Sequence, residues 1–230
     1  MKLIWTIFLI LSLSGCVKPI HMTIDAYSCA EAMNRKNHFL IVTEKSLESG
    51  ELQSKEFQGM TEQVLADVGF SSADKEDANV GILLDYGITD PIISQYTYSS
   101  PVYGQTGIAT SQTSGNVYSY SNCATYSQQT TYTPQYGVVG YETKVGTLVT
   151  YVRHLSLTGF DMDKFRAEGD AKELWRLHVS SVGETGDLRR IFPVLLAGAK
   201  KYIGVSTGQK IELRMYETNE EVSKIKGMEQ

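Results

Sequence analysis

Few residues of this chain are of a type and spacing that could do chemistry. Gly204-Val205-Ser206-Thr207-Gly208 spells the Gly-x-Ser-x-Gly string of a hydrolase nucleophile elbow. That elbow needs a strand before the serine and a helix after it, so that the hydroxyl stands on a strained, exposed turn. Here the apolar periodicity predicts a helix before and a strand after, so the string reads as a glycine-rich connection. Asp161, Asp163, Glu168 and Asp170 gather carboxylates within residues 161–170, and hard cations want several oxygens. Their spacing is not that of an EF-hand loop, and acidic turns commonly serve solubility. The histidines are His21, His38, His154 and His178. None is spaced from another as a metal-binding pair on a helix, although His154 and His178 fall on two candidate partner strands. Neither a phosphate-binding loop nor a dinucleotide fingerprint is present. The expectation is a protein that is not an enzyme, with no metal and no cofactor. The alternative is a hydrolase using Ser206 or the acidic turn.

The three cysteines carry more information. Lys2 is followed by a short apolar core, Leu3 to Leu13, and then by Leu13-Ser14-Gly15-Cys16. A positive start, a brief apolar core and small residues at a cut site make a secretory signal. About eleven apolar-rich residues are too few to span a bilayer, which needs roughly 20. The segment resembles the lipobox of bacterial lipoproteins. That resemblance implies that the Cys16 thiol is diacylated, that the signal is cut before it, and that the new amine is acylated. Each buried methylene contributes about 0.8 kcal/mol, so two or more chains anchor stably where one does not. Val17, rather than an aspartate, follows Cys16. In a two-membrane bacterium this favours a lipid-anchored protein of the outer membrane that faces the periplasm. Export exposes Cys29 and Cys123 to oxidising conditions, and a Cys29–Cys123 bridge and two free thiols both stay open.

The chain has 230 residues and a formal charge of −5. That balance leaves no electrostatic footprint for nucleic acid. No polybasic run flanks Cys16, so lipid headgroups have no obvious basic docking site.

The elements that would position these residues follow from periodicity. Residues 16–37 read as a lipidated start and tether. His38 to Thr43 is a compact β-prone run. From Glu51 to Val68, Phe57, Met60, Val64, Leu65 and Val68 recur on one helix face, and Gly69 suits a left-handed end. Val80 to Thr89 alternates as a strand. Lys144 to Leu157 and Leu174 to Val179 predict two long hairpin strands joined by the acidic turn. Leu188 to Ile203 predicts a second helix, capped by Asp187, with Pro193 in its first turn or kinking it. Lys210 to Tyr216 predicts a last strand, and residues 218–230 a flexible tail.

Between Pro91 and Tyr141 the chain changes character: it holds no Asp, Glu, Lys, Arg or His. Tyr, Ser, Thr, Gln and Gly dominate. Tyr96, Tyr98, Tyr103, Tyr118, Tyr120, Tyr126, Tyr132 and Tyr136 are the candidate contact residues, some spaced two apart as on one face of an extended chain. A loop of about fifty residues is uncommon in a compact domain. Tyrosine offers large, rigid, amphipathic contact area with few torsions to freeze. A binding surface for a glycan, a peptide or an envelope protein, an oligomer contact, and a low-complexity insertion with no ligand all fit. Membrane hairpins are less favoured, because Ser, Thr and Gln occupy both registers of the window.

The lipobox, Phe57 to Phe70 ending Val-Gly-Phe, the Ala78 to Tyr86 strand, Leu174-Trp175-Arg176 and Leu195-Leu196 together resemble the DUF4136 domain of bacterial envelope lipoproteins. That resemblance covers about Asn37 to Tyr216 and implies no substrate, cofactor or catalytic residue. The expected fold is α+β, a two-layer sandwich of a mainly antiparallel sheet with two helices on one face. The expected domains are a signal peptide over 1–15, a tether over 16–37, a single α+β domain over 38–217 with an insertion at 91–141, and the tail. The expected function is a membrane-anchored, non-enzymatic binding or assembly module.

Overall fold

The computed structural model describes residues 18–43 and 50–227. The signal segment and Cys16 lie outside the described residues. The elements in chain order are β1 (Ile20–Ser28), a 3-10 turn (Ala30–Asn34), β2 (Asn37–Val42), α1 (Glu51–Asp67), β3 (Ser71–Ser72) and β4 (Val80–Ile88). They continue with β5 (Ile92–Tyr120), β6 (Cys123–Asp161), α2 (Met162–Glu168), β7 (Glu173–Gly183), α3 (Leu188–Ala199), a 3-10 turn (Lys200–Tyr202), β8 (Ile211–Met215) and α4 (Glu220–Ile225). Among the described residues this is an α+β chain with one mixed sheet of eight strands, in the order β3-β2-β4-β6-β7-β1-β8, with β5 paired to β6. Strand β2 runs parallel to β3 and β4, because α1 carries the chain back between them. The pairs β4–β6, β6–β7, β7–β1 and β1–β8 are antiparallel. The chain divides into two compact units, Met1–Ile92 with Val149–Gln230, and Ile93–Leu148.

In the first unit, period-two alternation decides which face of each strand is buried. Ile20, Met22, Ile24 and Ala26 of β1, Val80, Ile82, Leu84 and Tyr86 of β4, and Leu155 and Leu157 of β6 are buried. So are Leu177 and Val179 of β7. They share one core cluster with Phe57, Val64 and Leu65 of α1, with Ile191, Phe192, Leu195 and Leu196 of α3, and with Val222 and Ile225 of α4. At its centre Phe57 stacks on Phe192 with ring centroids 4.0 Å apart, and the edge of Tyr86 meets both rings. Such aromatic contacts add roughly 0.5–1.5 kcal/mol each beyond area burial.

Polar groups tie the layers at chosen points. The His38 ring is buried; its Nε2 lies 2.7 Å from Glu62 of α1 and its Nδ1 3.1 Å from the Ser71 carbonyl. Arg153 is buried and donates to the Ser181 hydroxyl at 2.8 Å and to the Thr185 carbonyl at 3.3 Å, holding the β6–β7 end together. Asp187 caps α3 by accepting from the Arg190 amide. Pro193 lies inside α3, past the first turn, among residues that are buried on every side.

Several expectations need correction. The tether reading of 16–37 fails over Ile20–Ser28, which is an inner strand between β7 and β8. Its alternating His21, Thr23, Asp25 and Tyr27 mask the buried set between them. The tail reading of 218–230 fails over Glu220–Ile225: Asn219 caps α4, Val222 and Ile225 are buried, and Lys200–Glu221 and Lys224–Asp67 pairs pin it. The acidic turn is instead the end of β6 followed by α2, with Asp161 as its N-cap and Gly169 closing it at φ 74°. Helices thus number four among the described residues, not two, and the sheet is mixed, with the β2–β3 and β2–β4 ladders parallel beside four antiparallel ones. The insertion expected at 91–141 overlaps the second unit, Ile93–Leu148.

The second unit, within which most of the insertion lies, is a β-hairpin. It turns at Ser121-Asn122, with Ser121 in the left-handed region at φ 49°. The Thr113 and Thr130 hydroxyls meet across the strands at 3.0 Å, and the Thr106 hydroxyl donates to the Gln135 carbonyl at 3.3 Å. Large side chains lie over cross-strand glycines: Tyr96 over Gly146, Tyr126 over Gly115, Val139 over Gly104. A glycine that leaves room for a ring across the ladder is a recognised way of pairing strands.

Glycine positions give a paired test of the first unit. Gly159 faces Trp175 across the β6–β7 ladder, and a Cβ there would run into the buried indole. Gly59 sits exposed in α1 with open space around it. Gly159→Ala is expected to destabilise by about 1–3 kcal/mol through overpacking. Gly59→Ala is expected to stabilise by roughly 0.5–1 kcal/mol through helix propensity. Urea unfolding of both variants checks the signs.

Candidate functional site

The eight tyrosines named above all lie in the hairpin, and all are exposed, Tyr120 by 87% at the turn. Tyr96 and Tyr98 stand with ring centroids 6.0 Å apart, tilted by 36°. The Tyr126 hydroxyl donates to Gln128 Oε1 at 3.0 Å. Ile93, Val102, Ile108, Val117, Val138 and Val145 are exposed beside them. Neither face is continuously apolar. Tyr96, Tyr98, Val102 and Ile108 share a parity with Ser94, Ser100, Thr106 and Thr110. The first charges after the window, Glu142 and Lys144, pair with one another at 2.7 Å. The hairpin therefore presents amphipathic rings, hydroxyls and amides without net charge.

The first unit holds a second polar arrangement that the sequence did not reveal. Register aligns Asp85, Ser156, His178 and Asp25 in one row across β4, β6, β7 and β1. Thr43, just past β2, extends it by donating to Asp85 Oδ1 at 3.0 Å. The Ser156 hydroxyl lies 2.7 Å from His178 Nδ1, and His154 Nε2 lies 3.5 Å from Asp85 Oδ2. The two imidazole rings are stacked 6.5 Å apart. Burial lowers the His178 pKa below its usual value, His154 lowers it further, and Asp25 and Asp85 oppose this. The row lines a shallow depression on the sheet together with Tyr27 and Arg176. Asp25 had been assigned to the tether. Asp85 and Ser156 looked like ordinary polar members of alternating strands, and no signal within any one strand could have shown that register joins them. Among the described residues no group of three or more His, Cys, Asp or Glu side chains is placed to hold a metal ion.

The structure does not bring the alternative hydrolase residues together. Ser206 is exposed in the segment between a 3-10 turn and β8, with Gly204 at φ 71° and Gly208 at φ 70°. No strand precedes it. Its neighbour Thr207 hydrogen-bonds the Ala26 backbone, so the segment serves to dock against β1. The carboxylates of 161–170 are neutralised by cations rather than open to one: Asp161 and Asp163 each lie 2.8 Å from Arg35, and Asp170 lies 2.8 Å from Lys164. Cys29 and Cys123 are both free thiols, so the Cys29–Cys123 bridge is not formed. Cys29 stands at the end of β1 in the first unit, and Cys123 beside the hairpin turn in the second. Among the described residues no helix is long and apolar enough to cross a membrane, which leaves membrane-crossing strands unaddressed.

No known family matches the chain, and no curated protein matches it. Among solved structures, a PDZ domain protein from Parabacteroides distasonis ATCC 8503 is similar at a TM-score of 0.38 and 7% identity, over 92% of this chain and 42% of that one. The lysenin pore is similar at a TM-score of 0.12 and 9% identity, over 85% of this chain and 47% of that one. This chain spans less than half the length of either, and neither likeness bears on fold or function.

The depressed His178 pKa has a defined consequence. Below the ordinary histidine pKa the unfolded chain binds a proton that folded His178 resists, so stability falls as pH drops from the unfolded pKa toward the folded one. His178→Gln removes this contribution. Urea midpoints taken between about pH 7.5 and about 5.5 are expected to fall more steeply for the wild type than for the variant, with unchanged slope m.

Proposed function

We propose that this protein is a lipid-anchored envelope lipoprotein of the outer membrane, facing the periplasm, that works as a non-enzymatic binding or assembly module. Its contact surface is the hairpin of residues 93–148, and its partner is an envelope protein or a glycan. One observation carries the reading: a long two-stranded ribbon whose eight candidate tyrosines are exposed and whose sequence from Pro91 to Tyr141 holds no ionisable side chain other than tyrosine and cysteine. Isolated two-stranded hairpins are marginal in water, so a ribbon of this length needs a surface to lie against. The DUF4136-type resemblance and a two-layer arrangement, with α1 and α3 on one face of the sheet, belong to the same proposal. The shared core of Phe57, Tyr86 and Phe192 supports the layering.

Anchoring and contact are tested separately. Mass spectrometry of the mature protein is expected to find an acylated Cys16 at the N-terminus, and Cys16→Ala is expected to leave the membrane fraction. An unmodified Cys16 in a membrane-free protein would remove the lipoprotein reading. Contact is tested by crosslinking the full lipoprotein in its own membranes, beside a variant in which residues 93–148 are replaced by Asn-Gly. Specific crosslinked envelope components are expected with the full chain and not with the variant. Identical components from both would show that the hairpin is not the contact surface.

A further inference from the structure

Resting on the reading of the hairpin as a contact surface, we infer that what it contacts is a second copy of this chain, laid against it strand edge to strand edge. The argument begins with backbone groups. Among the described residues β5 pairs with β6 alone. Through the hairpin each strand thus uses one edge for its partner and turns the other, with its row of amide and carbonyl groups, outward. Natural proteins blunt such edges with charge, and above all with lysine. This ribbon carries none between Pro91 and Tyr141, and only Pro101 and Pro134 interrupt its donors. Charge stands only near the ribbon's end, where Glu142 and Lys144 pair with one another.

Geometry and length select the partner. Two copies placed side by side with the same polarity bring β5 of one against β6 of the next. Those strands run antiparallel, as β5 and β6 do within the hairpin, so the ladder continues without a change of type. β5 has 29 residues, at most about 95 Å of extended chain. A second copy supplies an edge of the same length, starting and ending at the same rows. The pairing is head-to-tail, so each added copy presents a fresh edge until the series closes on itself. Identical copies also repeat Tyr96, Tyr98, Tyr118 and Tyr120 along their rows, once every second strand. Like copies meet no charge repulsion in the window, because it carries no charge to repeat.

Cys123, exposed and next to the turn, reports the arrangement directly. With two strands per copy and strands about 4.8 Å apart, Cys123 recurs about every 10 Å before any stagger. The experiment uses purified full-length lipoprotein in mild detergent, carrying Cys29→Ser so that Cys123 is the free thiol. A bismaleimide linker of about 10 Å is expected to give covalent dimers, and sedimentation to show oligomers. Ser111→Lys with Gln129→Lys charges both edges and is expected to cut crosslinking about tenfold or more. Ser121→Lys with Asn122→Lys places the same charges at the turn, off the edges, and is expected to leave it intact. A monomer at about 50 µM with no Cys123 dimer, before and after the edge charges, would overturn the inference. So would dimers that the edge charges leave unchanged, or a hairpin that binds phosphatidylethanolamine–phosphatidylglycerol vesicles as a monomer. If the purified chain is monomeric while its hairpin still captures a different envelope component from membranes, the contact-surface reading survives and only the identity of the partner is wrong.

Discussion

Strand β6 must satisfy its backbone polar groups along all 39 of its residues, and it does so in two different ways. From Arg153 to Phe160 it is paired on both sides, to β4 and to β7. There its alternate side chains, Leu155 and Leu157, are buried. Toward Cys123 it has β5 alone, and its side chains there are exposed. The same strand is thus an inner strand in the first unit and an outer strand of a two-stranded ribbon in the second.

The two units also divide the charge. In the first, carboxylates and cations find each other: Lys200 bridges Asp67 and Glu221, Lys224 returns to Asp67, and Arg35 joins Asp161 to Asp163. Hydrogen bonds from Lys200 and Lys224 pull the Asp67 pKa below its usual value. These surface pairs are each worth little; they gather at the first turn of α2, along α4, and at the C-terminal ends of α1 and α3. In the second unit tyrosine, threonine, serine and glutamine replace charge, and only Glu142 and Lys144 near its end form a pair. A surface built this way offers ring faces and neutral hydrogen bonds, which suit close, desolvated contact better than long-range steering.

Much of the first unit was legible because its elements are amphipathic. The strand at His38 to Thr43, the helix from Glu51, the strand from Val80, the helix from Leu188 and the strand from Lys210 all stand within a residue or two of their expected positions, apart from a 3-10 last turn after Ala199. Each buries one face, so periodicity reports it. Strand β1 and helix α4 escaped notice for opposite reasons. The apolar residues of β1 are interleaved with His21, Thr23, Asp25 and Tyr27, which made it look polar. Helix α4 is six residues long and buries only Val222 and Ile225, too little for a period. The hairpin escaped because Ser, Thr and Gln occupy both registers of the window alongside tyrosine, so no apolar face alternates with a charged one.

What the sequence by itself determined is the local grammar: the amphipathic elements, the charge-free tyrosine window, and a helix rather than a strand before Ser206. These are properties of neighbours along the chain, and spacing of two to four residues records them. The tertiary structure alone decided the rest. It made β1 an inner strand, made a fifty-residue window a paired ribbon, left Cys29 and Cys123 unbridged, and set Asp85, Ser156, His178 and Asp25 in one row. The physical reason is register: which residues of separate strands stand opposite one another is fixed by hydrogen-bond ladders and by a shared core, and neither is written in any single segment.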